Sequence, residues 1–69
     1  MPDSELHNRL KDHRARLELT QAELAERVGV SRKTINTVEN GVFTPSATLA
    51  LKLARALGTK VEQLFSLRD

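Results

Sequence analysis

The stretch from Thr20 to Gly41 leaves the chain few choices of fold, because it spells out two short helices and the tight turn between them. Thr20-Gln21-Ala22-Glu23 has the form of a capping box. In such a box the Thr20 hydroxyl accepts from the backbone N–H of Glu23, and the Glu23 side chain reaches back to Thr20. Leu24, Ala25 and Val28 then share one helical face. Gly29 stands where that helix must stop in a conformation with positive φ. Val30 is an apolar turn residue and Ser31 a second N-cap, which predicts a helix from Arg32 to Asn40 closed at Gly41.

Helical periodicity sorts the second helix into two faces. Ile35 and Val38 define the inward side, while Lys33, Asn36, Thr37 and Asn40 lie opposite at i, i+3, i+4 and i+7, with Arg32 on the flank. None of these outward side chains is acidic. All donate hydrogen bonds suited to base edges or phosphates, and the Thr37 methyl also suits a thymine methyl. A helix lying in a DNA major groove needs such a face.

Gln21 through Asn40 resembles the helix-turn-helix of the lambda-repressor-like (Xre/Cro) family. The residues that carry the resemblance are Gln21, Leu24, Ala25, Val28, Gly29, Val30, Ser31, Ile35, Val38 and the Glu39-Asn40-Gly41 ending. The resemblance extends from about Leu6 to Phe65, and the family fold it implies has five helices. The expected fold class is therefore all-α: one compact domain over residues 1–69, with its core at about 5–66 and the helix-turn-helix formed by the second and third helices.

Composition narrows the alternatives. A chain of 69 residues buries only about 60% of its unfolded surface, so dimerisation or tidy helix packing must support it. With no cysteine, disulfides and thiolate metal sites are excluded. No apolar run is long enough to span a membrane, and Met1-Pro2-Asp3-Ser4-Glu5 is too acidic to open a signal peptide, so a cytoplasmic location is expected. Net charge is only +2, but residues 31–60 carry Arg32, Lys33, Lys52, Arg55 and Lys60 against Glu39 alone. Positive charge thus gathers from the proposed recognition helix onward, as a phosphate-binding face requires.

In chain order, Ser4 is a candidate N-cap for an amphipathic helix from Glu5 to Glu18, with Leu6, Leu10 and Leu17 on its narrow apolar stripe. Leu19 is expected to enter the core and staple against Leu24. Arg14 shares the stripe, either as an arginine snorkelling along the core rim or as half of an ion pair. The family resemblance implies the pair, with Glu39 as partner. Val42 to Ser46 forms the loop, in which Thr44-Pro45-Ser46 supplies a breaker and then an N-cap. Phe43 is either a plug over the core or a contact for a second subunit. Leu49, Ala50, Leu53, Ala54 and Leu57 make a broad buried face on a helix from Ala47 to Leu57 that Gly58 ends. Thr59-Lys60-Val61-Glu62 has the form of another capping box, opening a last helix through about Phe65. No segment reads as a strand.

Catalytic and cofactor chemistry has no foothold. His7 and His13, both placed on the first helix, lack neighbouring metal ligands, and Ser31 and Ser46 are caps without an adjacent base. No glycine-rich phosphate loop occurs, and with no Trp or Tyr and only two Phe there is no stacking platform for single strands.

The expected function is therefore sequence-specific binding of double-stranded DNA by a transcriptional regulator, with a repressor of a palindromic operator as the foremost form. Arg32, Lys33, Asn36 and Thr37 are the expected base contacts, the first two suiting guanine and Asn36 adenine. Gln21, Ser31, Asn40, Thr44 and the N–H groups around Gly41 to Thr44 are the expected phosphate contacts. A homodimer would set two recognition helices about 34 Å apart. Its candidate interface residues are Phe43, Leu51, Leu64, Phe65 and Leu67. The alternatives are an antitoxin-type or other protein-interaction module with secondary DNA binding, and a helical scaffold that has lost DNA binding. Both predict weak, salt-insensitive binding to DNA.

Overall fold

The structure, a computed structural model, describes residues 6–67. It contains five helices, joined at the two ends of the described chain by a short β-ribbon: β1 (Leu6–Asn8), α1 (Leu10–Arg16), α2 (Gln21–Val28), α3 (Arg32–Glu39), α4 (Ala47–Leu57), α5 (Val61–Leu64) and β2 (Phe65–Leu67). Helix α2 packs against both α3 and α4, and α4 also supports α5. Leu10, Leu24, Ile35, Leu53 and Leu64 meet in the centre with no exposed surface. Among the described residues no helix is long and apolar enough to cross a membrane.

Helix α2 begins and ends as its residues dictate. Glu23 N–H donates to Thr20 Oγ1 at 3.0 Å, and Thr20 N–H donates to Glu23 Oε1 at 2.8 Å, closing the capping box. Those bonds from the Thr20 backbone and side chain hold the Glu23 carboxyl below its ordinary pKa. At the other end Gly29 has φ +77°, and Val30 N–H donates to Ala25 O at 3.0 Å. A methyl group added at Gly29 would meet nothing within 4 Å, so glycine is needed there for its conformation and not for space. Gly29→Ala is expected to cost about 1–2 kcal/mol of stability by urea titration. An unchanged midpoint would mean that the turn adopts another conformation.

The amino-terminal region differs from the expected long helix. Leu6, His7 and Asn8 pair antiparallel with Leu67, Ser66 and Phe65, and Arg9 N–H extends the ribbon by donating to Leu64 O at 2.8 Å. Asn8 starts α1 late, because its Oδ1 accepts from Leu10 N–H at 3.2 Å. The four-residue spacing of Leu6 and Leu10 suits a helix, yet Leu6 packs on the core from a strand. His7 consequently lies on β1, exposed, and only His13 lies on α1. The Ser4 cap falls outside the described residues.

Two further expectations are corrected. Leu17 is 48% exposed, because α1 ends at Arg16 and Glu18 turns to φ +57°, so Leu19 enters the core in its place. Thr59 does not cap α5. Its N–H donates to Ala54 O at 2.9 Å, completing the end of α4, and the N-cap shifts to Lys60 without a side-chain bond. Helix α5 is accordingly a single turn that stops at Leu64.

Candidate nucleic-acid interface

Helix α3 is anchored from below and capped at its start. Ile35 and Val38 are buried beneath it, and Ser31 Oγ accepts from Thr34 N–H at 3.1 Å. Arg32, Lys33, Asn36 and Asn40 are exposed on the far side, where the first three line one shallow recess. No acidic residue occupies the first turn of α3. Its amino-terminal dipole and the adjacent cations therefore add, giving a surface suited to anions. Thr37 is half-buried, and its hydroxyl donates to Thr34 O at 3.0 Å. Toward a ligand it presents its methyl group and the oxygen lone pairs.

Arg14 and Glu39 meet beneath this surface. Arg14 Nε donates to Glu39 Oε2 at 2.7 Å and Nη2 donates to Oε1 at 3.2 Å, while Nη1 donates to Leu19 O at 2.7 Å. The side chains retain 15% and 3% of their accessible surface. Hydrogen bonding to Glu39 raises the Arg14 pKa further, outweighing the opposing effect of burial. The pair ties α1 and the Leu19 turn to the carboxyl end of α3.

Gln21 sits at the first position of α2, half-buried, with its side chain laid against α3. Its Nε2 donates to Glu39 Oε1 at 3.0 Å, and its Oε1 accepts from Asn36 Nδ2 at 3.4 Å. One Nε2 hydrogen remains for a phosphate, since a primary amide carries two. Ser31, also expected at a phosphate, lies 3.0 Å from Thr34 Oγ1 as well as capping α3, so its hydroxyl already has two internal partners. Asn40 and Thr44 are exposed beyond the helix end.

The N–H groups from Gly41 to Phe43 are not available to phosphates. Gly41 N–H donates to Val38 O, and Val42 and Phe43 N–H both donate to Thr37 O, at 3.0 to 3.2 Å. Unsatisfied carbonyls at the end of α3 claim them first. Sequence reasoning also missed Asn8, whose Nδ2 donates to Val38 O at 3.2 Å and Glu39 O at 3.5 Å. One side chain thus starts α1 and finishes α3. Its position two residues before a helical leucine was the available signal.

The hydrophobic candidates divide. Leu64 and Phe65 belong to the core of a single chain, at 0% and 8% exposure, so neither offers a surface to a second subunit. Phe43, Leu51 and Leu67 are exposed. Among the described residues no group of three or more His, Cys, Asp or Glu side chains is placed to hold a metal ion.

Known proteins share this arrangement. Residues 10–64 match the Helix-turn-helix family. An uncharacterised HTH-type transcriptional regulator of Methanocaldococcus jannaschii is 45% identical over 93% of this chain and 97% of its own length. The restriction-modification controller protein C.AhdI of Aeromonas hydrophila superposes with a TM-score of 0.79 and 37% identity, covering 83% of this chain and 86% of that one. The P22 c2 repressor, solved with a synthetic operator, gives a TM-score of 0.76 and 31% identity over 78% of this chain and 82% of the repressor chain. A capped helix with an acid-free outer face on a core of this plan, together with these matches, places the chain in the lambda-repressor-like (Xre/Cro) helix-turn-helix family of DNA-binding transcriptional regulators, which are not enzymes.

Proposed function

We propose that this protein is a cytoplasmic repressor that binds a palindromic operator as a homodimer, with α3 in the major groove. The observation that carries this reading is the outer face of α3. Arg32, Lys33, Asn36 and Asn40 stand exposed without an acidic neighbour in the first turn, while Ile35 and Val38 are buried opposite them. Arg32 and Lys33 suit guanine, Asn36 suits adenine, and Thr37 suits a thymine methyl. Gln21, Asn40 and Thr44 flank this face and suit phosphates, with Ser31 contributing what its cap bonds leave.

A second copy has an apolar surface to meet. Leu51, 63% exposed, borders a groove between α4 and α5 walled by Ala50, Ala54 and Val61. Phe43 and Leu67 add exposed apolar area elsewhere. The similarity to the P22 c2 repressor, solved with a synthetic operator, supports repression as the outcome.

Selection of bound sequences from random duplex DNA tests the reading directly. A recovered palindrome with half-sites about one helical turn apart is expected. Unrelated sequences, or binding insensitive to salt, would reject it. On the selected site, Lys33→Ala and Asn36→Ala are each expected to relax specificity at one base pair, costing about 1–3 kcal/mol. Equal loss on every sequence would make them phosphate contacts instead. Sedimentation at tens of micromolar checks the dimer, and a monomer there would reject it.

A further inference from the structure

The hydrogen bonds running from Arg14 to Asn40 have a direction, and Glu39 sets it. A carboxylate only accepts, so every group around Glu39 must donate: Arg14 through Nε and Nη2, and Gln21 through Nε2. Gln21 is thereby obliged to turn its carbonyl toward α3, where it accepts from Asn36 Nδ2. With its amide nitrogen committed there, Asn36 turns Oδ1 toward Asn40, whose Nδ2 donates at 3.1 Å. Each amide has two orientations of equal shape, but only one gives every contact a donor and an acceptor. Reversing Gln21 would place its carbonyl against a carboxylate oxygen and its N–H against the N–H of Asn36.

We infer that Arg14 and Glu39 are specificity-positioning residues, which through Gln21 fix the side of the Asn36 amide that presents a donor and the side that presents an acceptor to a base pair. The inference rests on the reading of α3 as a major-groove helix. Fixed in this way, Asn36 keeps one free N–H and one free lone pair, the complement of adenine N7 and N6. The Gln21–Asn36 contact, at 3.4 Å, is long for an amide hydrogen bond. What it transmits is polarity, which needs only that the reversed arrangement be worse.

Three variants on the selected operator test this. Asn36→Ala first locates the base pair that Asn36 reads. If no position loses its preference, the major-groove reading of Asn36 fails, and the inference falls with it. Glu39→Gln then keeps the shape of the carboxylate but can offer an N–H to Gln21, so the relay runs in either direction. Gln21→Met cuts the relay while leaving the Arg14–Glu39 pair in place. Binding is compared for A·T against G·C at the located position, with helical content checked by circular dichroism.

Both Glu39→Gln and Gln21→Met are expected to reduce the adenine preference there by about tenfold, or 1.4 kcal/mol. Preferences at pairs read by Arg32 and Lys33 should change by less than about twofold. Loss of a phosphate contact by Gln21→Met would weaken all sequences alike, leaving the ratio untouched. If Glu39→Gln fails to fold, Gln21→Met alone decides. An unchanged A·T to G·C ratio in the folded variants would overturn the inference and leave Arg14 and Glu39 a purely architectural role.

Discussion

Glu39→Ala is expected to remove about 3–5 kcal/mol of stability, because it strands the Arg14 guanidinium in a largely buried position. The Arg14 side chain is 15% exposed, and two of its donors are spent on Glu39. Gln21 loses a partner in the same change. A domain of this size is held by roughly 0.05–0.15 kcal/mol per residue, so the loss takes a large share of its stability. Arg14→Ala should cost a similar amount by leaving the 3%-exposed carboxylate unpaired. The double substitution should cost distinctly less than the two single losses added together, since no uncompensated charge remains. Urea titrations of the four proteins measure this directly. Additive losses would show that the two side chains do not act as a pair.

Ile35→Ala should be comparably damaging for a different reason. Ile35 is fully buried on the inner face of α3, in the same core as Leu24 and Leu53. Truncation leaves a cavity that the close-packed surroundings fill only in part, at a cost of about 2–5 kcal/mol. Leu51→Ala on the exposed side of α4 should change monomer stability by less than about 0.5 kcal/mol. A loss below about 1 kcal/mol for Ile35→Ala would mean that α3 is held in place by something other than its isoleucine.

The helix-turn-helix was legible because its signals are local and agree with one another. Thr20, Glu23, Gly29 and Ser31 each mark a boundary, and Leu24, Ala25, Val28, Ile35 and Val38 are all buried as their spacing requires. The inner face of α4 was legible on the same grounds, with Leu49, Ala50, Leu53, Ala54 and Leu57 buried together. The ribbon was not. Leu6–Asn8 finds its partner at the opposite end of the chain, and a short run spaced like Leu6 and Leu10 satisfies a helical pattern equally well. The same blindness to distant partners misplaced Phe65. Extended backbone after a single helical turn brings its ring into the core.

The polar site was read in part. Residue type and spacing placed Arg32, Lys33 and Asn36 on the outside of α3, which needs only helical geometry. They gave no view of Gln21 reaching both Glu39 and Asn36, because that contact depends on how α2 and α3 cross. Nor did they show that the N–H groups of Gly41 to Phe43 turn back onto α3. An exposed loop offers its donors outward only when no helix end competes for them.

Methylation interference on the selected operator tests most directly whether the exposed face of α3 enters the major groove. One reagent methylates guanine N7, on the major-groove edge, and adenine N3, on the minor-groove edge. Guanine N7 methylation within each half-site is expected to abolish binding, and the effect should weaken at one guanine when Lys33 is replaced by alanine. Interference confined to adenine N3, or an N7 pattern unchanged by Lys33→Ala, would contradict the placement of this helix.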